Sequence, residues 1–409
     1  MRGPDLFVPA FTTLSPGMLL RRPRRRPPHP FSSSSVRYFY FARNALWRLV
    51  KILRLEGREV LLPAYHHGVE VEALLDAGAR VSFYRIGRRM EVDLDDVERR
   101  IRPATRALHL THFAGFPGPA REMKEMARRR GLYLIEDCAH ALLTLDAGEP
   151  LGRTGDAAIF CLYKGLPVPN GGALVINNAE LPNVPEPRPA PLASTFSLMA
   201  SSLLRRLALR GGRPGRAARR LALRLGKGTL RASGVSPVLT GSEHFSRDHL
   251  DLGMSSVSLR IALSQDFDRI RAAQRRNYLC LLEGLRDVSE PLFPRLTPGV
   301  SPFFYPFVVE DNRLAARQLN AMGIEAVDFW RGSHPLCDLT EFPEVAHLRR
   351  SILEIPCHQD IPISILRRVV TILRDTAGDG RGAAATSWPA AEPGPDLSAA
   401  DVPPAESGA

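Results

Sequence analysis

The chain has 409 residues, 44% of them apolar, which allows two or three domains with packed cores and excludes wholesale disorder. Its 55 basic and 43 acidic residues give a formal net charge of +12, but the excess is local, because the segment 187–242 holds ten arginines, one lysine and no acidic residue. Net basicity is therefore weak evidence for nucleic-acid binding, and no nucleic-acid partner is expected.

The first half of the chain alternates helices with short strands. After an arm at 1–35, predicted to be flexible and basic, apolar periodicity predicts helices at 44–55, 69–77, 94–101 and 121–130, and strands at 59–62, 80–84, 107–111, 132–135, 157–162 and 173–176. This alternation is typical of a mostly parallel sheet covered on both faces. We therefore expect a large α/β domain at 36–290.

The second half indicates a smaller domain. A long helix predicted at 261–285 leads to strands at 303–309 and 326–329 and helices at 312–322 and 364–373. We expect 291–375 to form a small C-terminal α/β domain. After Asp375 the composition shifts to Ala, Gly, Pro, Ser and acidic residues, so 376–409 is predicted to be a disordered tail.

A Leu- and Arg-rich insert at 182–245 interrupts this pattern. It opens with a proline-rich linker, and from 196 its leucines and arginines follow helical spacing. One interpretation is a peripheral membrane element at 196–231. The other, which we favour, is an amphipathic helix packed on its own domain or on a partner subunit.

The chain is expected to reside in the cytoplasm. The charged run at 21–26 follows the apolar residues of the N-terminus, whereas a secretory signal peptide places its charge first. No run approaches the ~18 apolar residues of a membrane-spanning helix. The five cysteines are an odd number without a Cys-x-x-Cys pair, which fits neither a disulfide framework nor a zinc site.

Candidate chemical groups follow two of the predicted strands. Asp137 and, shortly after it, His140 follow the strand at 132–135, and Lys164, one of only four lysines, follows the strand at 157–162. Functional groups in parallel sheets gather at these carboxyl ends. A buried lysine can form an imine, and a buried carboxylate can keep a heterocyclic nitrogen protonated, so the pair suits pyridoxal phosphate. Each residue alone also fits an ordinary role, as a strand-end cap or a solvated cation.

An ordered set of motifs resembles the DegT/DnrJ/StrS aminotransferase family. They are REVLLPAY at 58–65, IEDCAHA at 135–141, GDAAIF at 155–160 and the run from Lys164 to Gly172, within a resemblance that covers about 36–373. It implies the fold type I architecture of pyridoxal-phosphate enzymes and a homodimer with active sites at the subunit interface. It also implies transfer of an amino group, usually from glutamate, to a keto sugar on a nucleotide, for surface polysaccharide or glycosylated metabolite synthesis.

The resemblance assigns roles position by position. Lys164 matches the Schiff-base lysine, and Asp137 matches the partner of the pyridine nitrogen. His140 matches a Gln or His that contacts the phenolic edge of the ring. His67 falls where the family places an aromatic residue against the ring face, with His66 as the alternative by one position.

The phosphate site is implied by a second group of residues. Ala42, Arg43 and Asn44 take the place of a Ser-Gly-Thr type loop at a helix start, where backbone N–H groups and the helix dipole hold phosphate. Arg43 adds a charge suited to phosphate. Cys161 stands where a phosphate-contacting Ser is common, and a thiol is a weaker donor.

Departures from the family keep other functions open. Residues 251–254 read Asp-Leu-Gly-Met where relatives often carry an Asn-x-Arg-Met run that reaches the partner subunit. One alternative is a pyridoxal-phosphate enzyme acting on a non-sugar ketone, or a sugar dehydratase, although dehydrating relatives commonly replace the lysine by His. Another is a non-catalytic, membrane-associated or regulatory protein of the same fold.

No metal is expected. His109 and His112 flank a predicted strand end, but no carboxylate or cysteine stands at ligand spacing from them, so structural roles are favoured.

Overall fold

The computed structural model describes residues 6–190, 192–233 and 245–378. The strands are β1 Arg37–Phe39, β2 Glu59–Pro63, β3 Arg80–Tyr84, β4 Thr105–Thr111, β5 Tyr133–Asp137, β6 Leu145–Asp146, β7 Glu149–Pro150, β8 Ala157–Cys161, β9 Gly172–Ile176, β10 Phe304–Val308, β11 Val327–Asp328 and β12 Ile352–Pro356. The helices are α1 Ala42–Ile52, α2 Val69–Asp76, α3 Leu94–Arg100, α4 Ala120–Arg130, α5 Leu162–Gly165, α6 Leu192–Arg210, α7 Gly212–Ser233, α8 Ser256–Leu263, α9 Phe267–Leu285, α10 Asn312–Ala321, α11 Pro343–Ser351 and α12 Ile363–Gly378.

The large sheet has seven strands in the order β1-β9-β8-β5-β4-β2-β3. The five strands from β8 to β3 run parallel, and β9 runs antiparallel to both of its neighbours. Every residue of β2 and β8 is buried, as expected for a sheet with helices on both faces. The predicted α/β class, with a mostly parallel large sheet, is confirmed.

A second sheet lies in the C-terminal part, where β10, β12 and β11 pair antiparallel in that order. The helix predicted at 261–285 is two helices, α8 and α9, because Asp266 caps α9 by accepting a hydrogen bond from the Arg269 backbone N–H. The predicted boundary between 290 and 291 stays a prediction. Of the predicted disordered tail at 376–409, residues 376–378 form the end of α12, and 379–409 lie outside the described residues.

The described part of the N-terminal arm, 6–35, differs from the flexible segment predicted for 1–35. Val8 forms a bridge with Ile324 and is fully buried. The backbone N–H and hydroxyl of Thr13 donate hydrogen bonds to Asp360 Oδ2 at 2.6 and 2.9 Å. Scattered apolar residues without a helical or strand period gave no local signal, yet Val8 is buried beside the small domain and Leu14 in the apolar cluster that includes Cys138 and Met199. Residues 20–26 are all exposed.

The insert forms two successive helices, α6 and α7, which pack on each other. Met199 is buried in the same apolar cluster as Leu14 and Leu166. Arg206 lies 3.5 Å from Asp360. These contacts agree with the packing interpretation; residues 234–244 of the insert lie outside the described part of the chain. None of the described helices combines the length and apolarity that crossing a bilayer requires.

Candidate active site

Two adjacent strands of the large sheet bring the predicted catalytic pair to one edge. Asp137 is the last residue of β5 and lies opposite Ile159 of β8. The short helix α5 begins directly after β8 and carries Lys164. Because both strands end at the same edge of a parallel sheet, the carboxylate and the amine face a shared space.

His140 lies against the amine of Lys164. Its Nε2 is 3.0 Å from Lys164 Nζ, and its ring stacks on Phe303 with centroids 5.0 Å apart. Burial, with Lys164 and His67 as lesser causes, holds the pKa of His140 far below its usual range. The imidazole is therefore neutral, and its Nε2 accepts a hydrogen bond from the amine. Its Nδ1 has no hydrogen-bond partner among the described residues.

Asp137 is held by its own loop and flanked by a histidine. The backbone N–H of Ala139 donates to Asp137 Oδ1 at 2.8 Å, and His109 Nε2 lies 3.9 Å from Asp137 Oδ2. His109 is completely buried, and neither ring nitrogen has a hydrogen bond in the part of the chain that the structure describes. Burial lowers the pKa of His109, although Asp137 and Glu70 oppose the shift. The sequence predicted only a structural role for His109.

The two adjacent histidines of the β2–α2 loop differ in their surroundings. His66 is buried, stacks on Phe83 and accepts a hydrogen bond from the backbone N–H of His334, and burial lowers its pKa to about 3. His67 is half-buried, contacts Trp330 edge-on at 6.4 Å and influences the pKa of His140. This arrangement favours His67 as the ring-facing residue.

The N-terminus of α1 lies beside the start of β9. Ala42, Arg43 and Asn44 form its first turn, where the leading backbone N–H groups point out of the helix end. A Cβ on Gly172 would lie 2.4 Å from the Ala42 nitrogen, so only glycine permits this approach. The Arg43 guanidinium lies over the Phe41 ring, and burial lowers its pKa. Asn44 donates to the His249 carbonyl at 2.5 Å.

Cys161 ends β8 directly before α5. It is 3% exposed, and burial raises the pKa of its thiol, which also hydrogen-bonds Tyr163. Its sulfur therefore stays a neutral thiol. Cys161 lies near Arg43, because it raises the pKa of Arg43 and because both residues influence the pKa of Tyr163.

Three further residues around the site were not foreseen. Phe303 and Trp330 flank His140, and Trp330 holds a left-handed backbone (φ 49°) that side-chain-bearing residues rarely adopt. Glu354 of β12 is 6% exposed, and burial raises its pKa to about 7, with Lys164 opposing the shift. The available signal was a single acid within the apolar run ILEIP at 352–356.

A buried group behind the site has metal-ligand composition. His112, Glu136 and Cys138 offer ligand atoms within 4.8 Å of one another. The carboxylate of Glu136, however, already accepts from His112 Nε2 at 3.0 Å and from three backbone N–H groups, those of residues 152, 154 and 155. His112 Nδ1 accepts from the Gly118 N–H at 2.9 Å. These bonds account for the polar atoms of His112 and Glu136 without a metal.

The donor set matches what pyridoxal phosphate needs. Lys164 supplies an amine and Asp137 a carboxylate, and the end of α1 with Arg43 supplies N–H groups and a cation for a phosphate. The unpartnered Nδ1 of His140 is a buried polar atom without a protein partner among the described residues. The residues present therefore fit this cofactor.

Comparison with known proteins identifies the family of the central segment. Residues 43–184 match the model of the DegT/DnrJ/EryC1/StrS aminotransferase family, whose enzymes depend on pyridoxal phosphate, so the resemblance predicted from the motifs is confirmed there. GDP-perosamine synthase of Vibrio cholerae is 30% identical over 128 residues, 31% of this chain and 35% of that protein. The dTDP-4-dehydro-2,3,6-trideoxy-D-glucose 4-aminotransferase of Saccharopolyspora spinosa is 36% identical over 141 residues, 34% of this chain and 37% of that protein. The chain thus matches only about a third of the length of these curated relatives.

Solved structures extend the likeness over most of the chain. A putative sugar aminotransferase from Streptococcus pneumoniae superposes with a TM-score of 0.65 at 15% identity, covering 91% of this chain and 98% of its own. The aminotransferase TlmJ from Streptoalloteichus hindustanus gives a TM-score of 0.59 at 20% identity, with coverage of 85% and 87%. At these identities the likeness shows the fold, and the predicted fold type I architecture is confirmed.

Proposed function

We propose that this chain is a pyridoxal-phosphate-dependent aminotransferase that moves an amino group from glutamate to a nucleotide-linked keto sugar. The observation that carries this proposal is the meeting of Lys164, Asp137 and His140 at one edge of the sheet, with the amine 3.0 Å from His140 Nε2. The two curated relatives named above are a GDP-perosamine synthase and an aminotransferase of a dTDP-linked dehydro sugar. Residues 43–184 match the DegT/DnrJ/EryC1/StrS aminotransferase family. Surface polysaccharide or glycosylated metabolite synthesis is the corresponding cellular role.

Bound at this site, pyridoxal phosphate supplies an electron sink for the charge that develops when a bond at the donor's α carbon breaks. Lys164 would hold it covalently and, once released as an amine, would take the proton from that α carbon and deliver it to C4′ of the cofactor. Asp137 would stabilise a protonated pyridine nitrogen by its charge. Arg43 and the end of α1 would hold the phosphate.

His140 has a defined part in this scheme. As a neutral imidazole it accepts a hydrogen bond from Lys164 at Nε2, which restricts the amine to one side of the site. Its stacking on Phe303 fixes the ring plane. The remaining nitrogen, Nδ1, is then available to an oxygen of the cofactor ring.

The first test is the visible absorbance of the purified protein with added pyridoxal phosphate, before and after glutamate. We expect a visible band that glutamate removes, that Lys164→Ala lacks and that Lys51→Ala retains, since Lys51 pairs with Glu56 outside the site. A band that glutamate leaves unchanged would contradict the aminotransferase activity. The absence of a band in every variant would contradict the cofactor and favour a non-catalytic role.

The acceptor is tested separately. Adding a nucleotide-linked keto sugar to the glutamate-treated protein should restore the band and give an aminated sugar by mass spectrometry. Restoration by a cyclic non-sugar ketone alone would move the proposal to the non-sugar alternative.

We also propose that the enzyme is a cytoplasmic homodimer, with peripheral membrane contact through 196–231. The dimer is supported by the family match, since the resemblance implies a site completed at a subunit interface. Light scattering on the eluting protein should give the mass of two chains. A monomer that is still active would contradict it.

A further inference from the structure

Two basic segments that are distant in sequence lie side by side on the surface. The backbone N–H of Leu14 donates to Ser202 Oγ of α6 at 2.8 Å. The turn that follows, Pro16–Leu20, contributes Met18 and Leu19 to the same apolar cluster as Met199 and Leu203 of α6. The arginine run at 21–26 follows this turn, and Arg24 within it is held at the start of α9 by an ion pair with Asp266 at 2.9 Å.

The inward-facing arginines of the insert are engaged by acids of the small domain. Arg205 forms an ion pair with Glu325, and Arg219 lies 3.8 Å from the same carboxylate. Arg206 lies 3.5 Å from Asp360. These ion pairs hold one side of α6 and α7 against the small domain, so the opposite side of the two helices faces away from it.

The outward side combines large apolar side chains with arginines. Phe196 and Leu207 of α6 are 56% and 45% exposed and stand eleven residues apart, three helical turns, on one face. Leu221 of α7 is 59% exposed and Leu20 of the arm 83%, so these four make up most of the seven large apolar side chains exposed in the described residues. Exposed arginines accompany them at 21, 22, 25 and 26, and at 220. We call this surface the basic face.

The described segments that build the basic face carry no acidic side chain, since neither 6–35 nor 192–233 contains an Asp or Glu. Asp266, which caps α9, pairs with Arg24 at 2.9 Å and leaves the arginines at 21, 22, 25 and 26 exposed. A two-fold contact with a second copy would place the basic face against itself, arginine against arginine, which is electrostatically unfavourable. An anionic lipid surface instead meets the arginines with opposite charge and receives the apolar side chains between its headgroups.

We propose that the basic face docks this protein on the surface of an anionic lipid bilayer. Phe196, Leu207, Leu221 and Leu20 enter the headgroup region, and the arginines pair with lipid phosphates. The helices lie on the membrane and do not cross it, in agreement with the absence of a spanning helix among those described. This inference rests on the membrane contact proposed above for 196–231 and names its partner, and it does not depend on the proposed catalysis, so either can fail alone.

The test is co-sedimentation of the full chain, loaded with pyridoxal phosphate, with vesicles of phosphatidylcholine alone or with phosphatidylglycerol. We expect binding only to the anionic vesicles, weakened by salt. Arg21→Gln with Arg22→Gln should lower the partition roughly fivefold per arginine. Phe196→Ser with Leu207→Ser should lower it more than tenfold.

A matched control is available in Leu314→Ser with Leu336→Ser, two leucines each 57% exposed elsewhere on the molecule. The control should bind as the parent does, and unchanged melting temperatures should show that all variants fold. Binding to pure phosphatidylcholine that equals binding to anionic vesicles would overturn the proposal. Unchanged binding by the Phe196→Ser, Leu207→Ser variant would also overturn it, because a site that binds polyanions by charge alone would give that result. A dimer that this variant converts to a monomer would assign the face to a second copy instead.

Discussion

Glu354 provides a quantitative test of the buried site. Burial raises its pKa from an ordinary 4.5 to about 7, while Lys164 opposes the shift, and the side chain is 6% exposed. Below pH 4.5 the carboxyl is protonated in both the folded and the unfolded chain, and burial costs little. As the pH rises from 4.5 to 7 the unfolded chain loses this proton and the folded chain keeps it, so stability falls.

The magnitude follows from the size of the shift. At about 1.4 kcal/mol per pKa unit, Glu354 should destabilise the fold by about 3 kcal/mol above pH 7 relative to pH 4. Glu354→Gln removes the charge at nearly constant volume and should therefore be about 3 kcal/mol more stable than the parent at pH 8, with little difference at pH 4.

Urea unfolding of the cofactor-free protein from pH 4 to 8, at one protein concentration, measures this difference. Glu310→Gln, an exposed acid of the same domain, is the control and should leave the pH profile unchanged. If the profile of Glu354→Gln runs parallel to that of the parent, the buried carboxyl is not the cause and the reasoning is refuted.

Three further changes test the surroundings of the site. Arg349→Met should lower the free energy of unfolding in urea by about 3 kcal/mol or more, because the buried guanidinium donates to the backbone carbonyls of residues 64, 66, 330 and 332. A loss below about 1 kcal/mol would contradict this. His109→Phe should weaken pyridoxal-phosphate binding about tenfold in a fluorescence titration, because Asp137 loses the imidazole whose Nε2 lies 3.9 Å from its Oδ2. The larger ring in this fully buried position should also lower the free energy of unfolding by about 1–3 kcal/mol, and a loss of stability with unchanged affinity would assign His109 to packing alone. Gly172→Ala should lower the free energy of unfolding by about 1–3 kcal/mol and also weaken cofactor binding, because the new Cβ would displace the first turn of α1. Unchanged cofactor affinity would show that this turn does not bind the phosphate.

The large sheet was accessible from the sequence because its signals are local. The strand at 157–162 and its successor at 173–176 each stand out as short apolar runs, and the structure has β8 and β9 there. The N-terminal arm was not accessible in this way. Val8 and Leu14 show no period, and their backbones are held by the distant residues Ile324 and Ser202.

The adjacent histidines show the same limit at the site. Both imidazoles satisfy the motif equally well, and only packing separates His66, enclosed beside Phe83, from His67, turned toward Trp330. The role of His109 has the same origin. Its distance of 3.9 Å from Asp137 depends on the register of β4 against β5, which no periodicity within either strand contains.

By itself the sequence determined the α/β class, the chain order of its main strands and helices, and the choice of Lys164 and Asp137 as the central candidate pair. These depend on apolar periodicity, on residue chemistry at strand ends and on motifs a few residues long. Only the tertiary structure decided that Glu354 and Phe303 reach the same site and that the insert turns one side to the small domain and the basic face to solvent. The physical reason is that burial and charge at these positions arise from contacts between distant segments, and such contacts leave no local pattern in the chain.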